Sequence, residues 1–519
     1  MLWFALHLSA LPLEALLVAL PAETESSEPA RCVVEQRRVL LACPRANAAG
    51  VQPGMSAASA AALLQGLQLL ARDRAREAAF VERLALALAC YTPAVVIEPD
   101  GVLLEVSASL RLFGGARALN RALRATAHAS GVRQLRVATA PTAGAASLLA
   151  SMAPPSAPRC RKLRSTAGPA ATSCPRLDPI QAWHQHTRQR LDTLSLAAAL
   201  AVWQLPARTA ELLHGIGCRT LADVRALPRT GLQRRGGGAL LECLAQAYGE
   251  APDPRPWFTP PPGFELGLEL LHRADDAAML VFAAERLVQP LAGWLAQQWL
   301  AASRIALHLR HETRRHQALP DTVLRIGLGE ASRDARQIGL LLRERLQRTE
   351  LPAPVYALEL RLEEAVSHAG KEAALWRDPR RNSDDDSRGL IDRLTARLGP
   401  ERVQRLHLQA DYRPERAMSS VPAIEANPGA DIALPSSTPP RPAWLLPEPL
   451  RLQEQNGRPL HGSLLTLRSR AERIEAGWFD GELISRDYHV AEGRDHRLRW
   501  VFRERRGDVA QWYLHGLFG

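Results

Sequence analysis

Asp100 and Glu105 bracket a short apolar run in "AVVIEPDGVLLEVSAS", and carboxylates are the oxygen donors that a hard divalent cation requires. Pro99, Asp100 and Gly101 also form a turn signal between two apolar runs, so the segment is expected to be a β-hairpin with Asp100 serving its turn. As a metal site the pair is weak, enough for a lone cation at most. Cations of the protein's own are more abundant. Arg304, Arg310, Arg314 and Arg315 flank or follow the strand-like "RIALHLRHE", an arrangement suited to salt-sensitive, sequence-independent contact with a phosphate backbone. An ordinary solvated arginine face is the alternative. In "GKEAALWRDPRRNSDDD", Leu375 and Trp376 precede a polar stretch, as in an extended peptide whose Leu-aromatic pair fills an apolar pocket on a partner. Alternatively Trp376 caps the edge of the folded unit before it. "LLHGIGCRTLADV" has the glycine turn of a helix-hairpin-helix, which aims backbone N–H groups at a phosphate.

Other chemistries are argued against. The chain carries no GxxxxGK[ST], no HExxH and no GxSxG. Its seven cysteines (Cys32, Cys43, Cys90, Cys160, Cys174, Cys218 and Cys243) are scattered, odd in number and without a CxxC pair. That disfavours a disulfide framework and a structural metal, and suits a reducing cytoplasm. No cofactor is expected. The apolar opening "MLWFALHLSALPLEALLVALPAE" has no basic residue before Arg31, against a signal peptide, and is interrupted by His7, Ser9, Pro12 and Glu14, against a membrane span. It reads instead as a buried strand, Leu2 to Leu8, then a helix with Pro12 in its first turn. A cytoplasmic protein without a membrane partner is expected. With 65 Lys and Arg against 54 Asp and Glu, the net charge of +11 points to a polyanionic partner, nucleic acid above all, although high-GC codon usage also enriches arginine.

A length of 519 residues favours roughly three or four domains, and a 46% apolar content is that of a folded protein. Residues 1–150 alternate short apolar runs with Ala-rich helical stretches, an α+β domain. "CVVEQRRVLLAC" reads as a strand pair, "MSAASAAALLQGLQLLARDRAREAAFVERLALALACY" as two helices, and "LRVATA" as a strand. Residues 151–177 are Pro, Ser and Arg-rich, a flexible insertion. Residues 178–258 read as helical and 264–415 as a second α+β unit. Residues 416–442 have the composition of a disordered linker. Residues 443–519 form a small, mainly β region rich in tryptophan. There Trp478, Phe479, Trp500 and Trp512 are candidate anchors for a protein partner, or equally the region's own core.

Three segments in this order, the opening strand and helix, "NAAGVQPGMSAASA" and "IEPDGVLLEVSASLRLFGG", resemble the Y-family DNA polymerases, whose corresponding motifs are "DMDAFFASVE", "EARxxGVxxGMxxxxA" and "SIDExxLDVTxxxxLFG". "LRVATAPTAGAASLLAS", "TLADVRALP" and "QRRGGGALLECLAQAYG" extend the resemblance over most of residues 1–415. It implies a right hand: palm and fingers in 1–150, a palm return and helical thumb in 178–258, and an α+β little finger in 264–415. Such enzymes hold two divalent metals about 3.5–4 Å apart on carboxylates. The resemblance puts the ligand positions on Ala5, His7, Asp100 and Gly101, so one carboxylate of the set survives, with Glu105 nearby. The residue that screens the incoming sugar falls on Ala10, the triphosphate contacts on Pro44 and Asn47, and a later lysine on Ser147. The thumb hairpin's glycines fall on Gln204 and Pro206, and Pro206 has no N–H to donate. Gly215 and Gly217 are then turn residues.

This erased site, and a tail carrying "RPAWLLPEPLRL", "AGWFDGELISRDYHVA" and "WVFRERRGDVAQWYLHGLFG", resemble the ImuB family, the catalytically inactive Y-family homologues of bacterial mutasomes. The resemblance implies an adaptor that brings together DNA, the beta sliding clamp of DNA polymerase III, an error-prone C-family polymerase and the RecA-like ImuA after DNA damage. The clamp peptide would be Glu372, Ala373, Ala374, Leu375 and Trp376, departing from the family's QxxLF-like pattern in that Glu372 stands at the glutamine position. An active translesion polymerase is the alternative.

Overall fold

The structure is a computed structural model that describes residues 1–20, 29–153, 179–312, 319–368, 379–399, 401–423, 440–505 and 511–518. The chain divides into two compact units, Met1–Asp385 and Asp386–Gly519.

The opening strand Trp3–Leu8 is central in a four-stranded sheet, between Gly101–Glu105 and Leu135–Ala140, with Val95–Glu98 at the edge beyond Gly101–Glu105. Both of its neighbours run antiparallel to it. Trp3, Phe4, Ala5, Leu6 and Leu8 are all buried, as a strand covered on both faces requires. The helix Leu11–Leu17 follows, with proline in its first turn. The strand pair Arg31–Glu35 and Arg38–Ala42 turns through Gln36 and Arg37, both in the left-handed region that a two-residue hairpin of this hand demands.

One expected helical stretch is divided. Helices Ala57–Leu63 and Arg74–Leu88 form, but Gln68–Ala71 between them is a strand lying parallel to Arg31–Glu35. Gly66, at φ 81°, ends the helical path, and the exposed ladder of a strand more than thirty positions earlier captures the next residues. Helix Ala143–Met152 packs on the opening strand, and the six helices between Pro179 and Ala247 continue the same core. Leu191, Leu196, Leu213, Leu240 and Leu244 belong to one apolar cluster with Ala5, Leu103 and Ala138.

The proline-rich segment 251–263 runs back along the edge strand: Phe258 N–H donates to Val95 O at 2.7 Å, and Trp257 stacks on Trp3 with ring centroids 5.8 Å apart. The second α+β part has strand Glu265–Ala274, helix Ala277–Gln297, strands Leu300–His311 and Thr322–Ser332, helix Ala335–Leu346 and strand Val355–Ser367. Its sheet runs in the order Thr322–Ser332, Leu300–His311, Val355–Ser367, Glu265–Ala274. Helix Ala277–Gln297 lies against helix Arg74–Leu88, and Arg286 donates to the carbonyls of His128 and Ala129 at the end of helix Ala116–Ala129.

In the second unit, strands Trp444–Arg451, Gln511–Leu517, Leu498–Glu504 and Ile484–Glu492 form consecutive partners in a six-stranded sheet. The α+β multidomain class and the mainly β tail are as expected. The domain limits differ. Strand Gln404–Leu408, expected to close the second α+β part, pairs instead with Met418–Pro422, which falls inside the expected linker 416–442. "MSSVP" is too short and polar to show a strand period, so only its partner reveals it. Residues 424–439 of that linker, and all of the insertion 151–177 after residue 153, lie outside the described residues.

Candidate functional site

The register of the opening sheet places the positions in question side by side. Ala5 stands opposite Leu103 on one side and Ala138 on the other, and His7 opposite Gly101 and Arg136. Partners directly opposite share a face of the sheet. On this face Ala5 is 2% exposed and contributes to the apolar cluster. Burial, ahead of the nearby charge of Arg136, holds the His7 imidazole below its ordinary pKa in spite of Asp100, so it is neutral at pH 7. Gly101 is buried with no room for a side chain: a Cβ there would sit 2.1 Å from Leu6 O and 3.2 Å from His7 Cα. Asp100 is exposed at the hairpin turn, where its carbonyl accepts from Leu8 N–H at 2.8 Å.

Glu105 is committed locally, its Oε1 accepting from the N–H groups of Ser107 at 3.1 Å and Leu2 at 3.5 Å. The two carboxylates therefore lie at opposite ends of one strand, and that of Glu105 serves backbone. Among the described residues no group of three or more His, Cys, Asp or Glu is placed to hold a metal ion.

The sequence reading missed the polar cluster that does occupy this face. Glu98, opposite Gly101, accepts from Ser147 Oγ at 2.6 Å and from Arg255 at 3.1 Å. Arg255 also pairs with Asp253, whose other oxygen accepts from Gly144 N–H at 3.0 Å. Burial raises the pKa of Glu98 above the usual carboxylate range against the opposing pull of Ser147 and Arg255. The position assigned to a lysine is thus a serine tied to Glu98, and the local cation comes from the segment 251–263. Nothing in the spacing of Glu98, Ser147 and Arg255 signals this.

The other assigned positions are also occupied by local structure. Ala10 is buried at the start of helix Leu11–Leu17. Pro44 opens the short helix Pro44–Ala48, capped by Cys43 Sγ, and Asn47 donates to Ala42 O at 3.1 Å. In the helical part, Gln204 holds a φ of 52°, a glycine-like conformation kept by a residue with a Cβ. Gly217, at φ 86°, turns the chain after helix Ala207–Gly215, as its reading as a turn residue requires.

Glu14, 4% exposed, ties this region together: its Oε1 accepts from Arg133 N–H at 3.1 Å and Gln134 N–H at 2.6 Å, just ahead of strand Leu135–Ala140. Burial pushes its pKa up to about 7 against those two bonds. With the folded pKa above the unfolded value of 4.5, the folded state holds the proton longer, so this group's contribution to stability falls as pH rises from 4.5 to 7 and is flat above. Glu14→Gln keeps the acceptor and removes the charge. It is expected to melt with the parent near pH 4.5 and to exceed it at pH 8 by up to roughly 3 kcal/mol, measured by urea unfolding at the two pH values. A variant less stable than the parent at pH 8 would contradict the assignment.

Of the arginines expected to meet a phosphate backbone, Arg304 pairs with Glu364 at 2.8 Å and Arg310 with the buried Glu359. Arg325 pairs with Glu363, and Arg361 with Glu265 and Glu359, across the same sheet. Cross-strand carboxylates therefore offset much of the charge read from the arginines alone. Arg314 and Arg315 lie outside the described residues, as do Glu372, Ala373, Ala374, Leu375 and Trp376.

In the second unit the four aromatic candidates separate into two kinds. Trp500 and Trp512 are 2% and 3% exposed and belong to the unit's own core, Trp500 stacked on Tyr488 at 4.0 Å, which removes them as partner anchors. On strand Leu498–Glu504 and on Gln511–Leu517 they sit at the inward positions, which the sequence could not distinguish from outward ones. Trp478 and Phe479 are 80% and 64% exposed. They contact edge to face on a turn between Gly477 and Gly481, both at positive φ. Arg413, nearly fully buried, fastens that turn by pairing with Asp480 at 2.6 Å and Asp411 at 2.7 Å. An exposed aromatic pair on a held turn loses little freedom when a partner covers it.

Residues 22–151 match the impB/mucB/samB family. The chain is 28% identical to Protein ImuB of Caulobacter vibrioides (strain NA1000 / CB15N) over 508 residues, covering 91% of this chain and 100% of that one. Protein ImuB of Caulobacter vibrioides (strain ATCC 19089 / CIP 103742 / CB 15) matches to the same extent. Among solved structures, the insertion ternary complex of Dbh DNA polymerase is 17% identical, with a TM-score of 0.37, covering 70% of this chain and 99% of that one. DinB from Sulfolobus solfataricus is 16% identical, with a TM-score of 0.35, covering 71% and 100%. The resemblance to ImuB read from the motifs is borne out, and at 91% coverage it reaches into both units. Among the described residues no helix is long and apolar enough to cross a membrane.

Proposed function

We propose that this ImuB-like chain is a non-catalytic polymerase homologue acting as an adaptor in DNA-damage-induced, mutagenic translesion synthesis in the cytoplasm. It binds DNA without sequence preference, docks on the beta sliding clamp, and recruits an error-prone C-family polymerase and the RecA-like ImuA. The observation that carries the reading is the sheet face itself. Of the four positions matched to metal ligands, Ala5 is part of a core, His7 is a neutral imidazole and not a carboxylate, Gly101 admits no side chain, and Asp100 is the one carboxylate, at an exposed turn. Two-metal phosphoryl transfer needs several converging carboxylates.

The remaining roles follow from residue type. Glu372 to Trp376 supply the clamp peptide, with Leu375 and Trp376 as the apolar anchors. Arg304, Arg310, Arg314 and Arg315 supply DNA affinity, for which Arg304 and Arg310 exchange their carboxylate partners for phosphates. Trp478 and Phe479 present the surface for a protein partner.

Primer extension by the purified protein, with magnesium and then manganese, beside an active Y-family control tests the central claim. No incorporation is expected from a preparation that retains primer-template. Incorporation that Asp100→Ala abolishes would establish an active translesion polymerase instead. The same preparation is expected to bind the clamp, with Leu375→Ala and Trp376→Ala each weakening it about tenfold or more. Unchanged clamp affinity in both would remove the peptide from the scheme.

A further inference from the structure

A cleft of about 450 Å³ lies in the first unit between helix Arg74–Leu88 and the strands Glu265–Ala274 and Val355–Ser367. It shares Arg310 and Glu359 with the arginine surface discussed above, and its other charged residues belong to none of those surfaces. Six charged side chains line it, and five of them are matched. Asp73 accepts from the N–H groups of Ala75 and Arg76 at its own helix start, and Arg76 pairs with both Asp73 and Glu269. Arg310 pairs with Glu359, which Arg361 also engages.

Arg83 is the exception. It is 6% exposed; among the described residues its guanidinium makes no salt bridge, lies 5.5 Å from the centroid of the Phe80 ring, and feels the carboxylate of its neighbour Glu82 only at a distance. Burial, followed by the charge of Arg76, lowers its pKa to about 10, so it remains a cation at neutral pH. A buried guanidinium without a paired carboxylate is unfavourable. Its planar fork of donors is shaped for a carboxylate or a phosphate. Because the cleft's carboxylates are already engaged, Asp73 and Glu269 by Arg76 and Glu359 by Arg310 and Arg361, they leave Arg83 without a salt bridge. The space suits a small anion or one anionic group; it is too small for a duplex.

We propose that this cleft is a binding site for a small oxyanion, of the phosphate or carboxylate class, received by the guanidinium of Arg83. The proposal shares Arg310 with the DNA surface of the adaptor reading but does not rest on it, since Arg83 belongs to neither that surface, the sheet face nor the clamp peptide. The test is thermal unfolding and titration calorimetry of the full chain with sodium phosphate and with sodium acetate, each against sodium chloride at equal ionic strength. A saturable rise in Tm with one or both oxyanions, absent with chloride and lost in Arg83→Met, is expected. A response to phosphate alone assigns the phosphate class, and a response to acetate alone the carboxylate class. Should Arg83→Met fail to fold, Arg83→Lys keeps a charge without the fork and is expected to weaken binding at least tenfold. No oxyanion-specific response in the parent, or an undiminished response in the variants, overturns the proposal.

Discussion

Placing carboxylates on the opening sheet, as Ala5→Asp together with Gly101→Glu, is expected to give a protein that unfolds far more easily and still incorporates no nucleotide. The two substitutions fail for different reasons. At Gly101 the obstacle is covalent geometry: the new Cβ falls 2.1 Å from Leu6 O and 3.1 Å from Leu6 C, atoms of the neighbouring strand's backbone that have no rotamer to change. Admitting it means separating the strands across the pairs Leu6–Val102 and His7–Gly101, at a cost on the order of 3 kcal/mol. At Ala5 the obstacle is solvation. The position is 2% exposed within a cluster of Leu103, Ala138 and leucines from the helical part, so a carboxylate there is buried without a partner. That costs about another 3 kcal/mol, or forces the group to stay protonated. Urea unfolding of the single and double variants, with primer extension on whatever remains folded, reads both effects. A double variant with the parent's stability and magnesium-dependent incorporation would mean that the sheet is a polymerase site merely lacking two side chains.

Gly293→Leu is expected to have a comparable effect at a place remote from that sheet face. A glycine in the interior of a 21-residue helix is normally a weakness, and replacing it with alanine should stabilise by about 1 kcal/mol. Here the sign reverses. A Cβ on Gly293 would lie 1.9 Å from Leu86 O and 3.0 Å from Ala87 Cα, because the helix Ala277–Gln297 touches the backbone of helix Arg74–Leu88 at that point. Gly293→Ala is expected to destabilise by about 2 kcal/mol, and Gly293→Leu by more, through loss of this contact between the two α+β parts. Equilibrium unfolding gives the sign, and faster proteolysis within 251–263 would report the parting of the two helices. A stabilised alanine variant would show the helices do not meet this closely in solution.

Local pattern carried most of the fold. The doubly buried "WFALHL", the proline one turn later, the Pro-Asp-Gly turn and the long amphipathic helices are each written within a dozen residues, and each formed where the periodicity put it. So did the mainly β tail. Elements whose partner is distant were not legible: Gln68–Ala71 is a strand because Arg31–Glu35 offers it a ladder, and Met418–Pro422 because Gln404–Leu408 does. Neither has a period of its own strong enough to compete with its surroundings.

The candidate site shows the same division more sharply. Sequence by itself determined the side chains at Ala5, His7 and Gly101, the positions that the resemblance matches to metal ligands, and side-chain identity does not depend on folding. Only the tertiary structure decided what surrounds them. Burial lowered the pKa of His7, strand pairing closed the space above Gly101, and Arg255, some 150 positions along the chain, came to sit on Glu98. It likewise turned Trp500 and Trp512 inward and left Trp478 and Phe479 outside. Solvation, charge pairing and close approach depend on distances between residues far apart in the chain, and those distances exist only once the chain has folded.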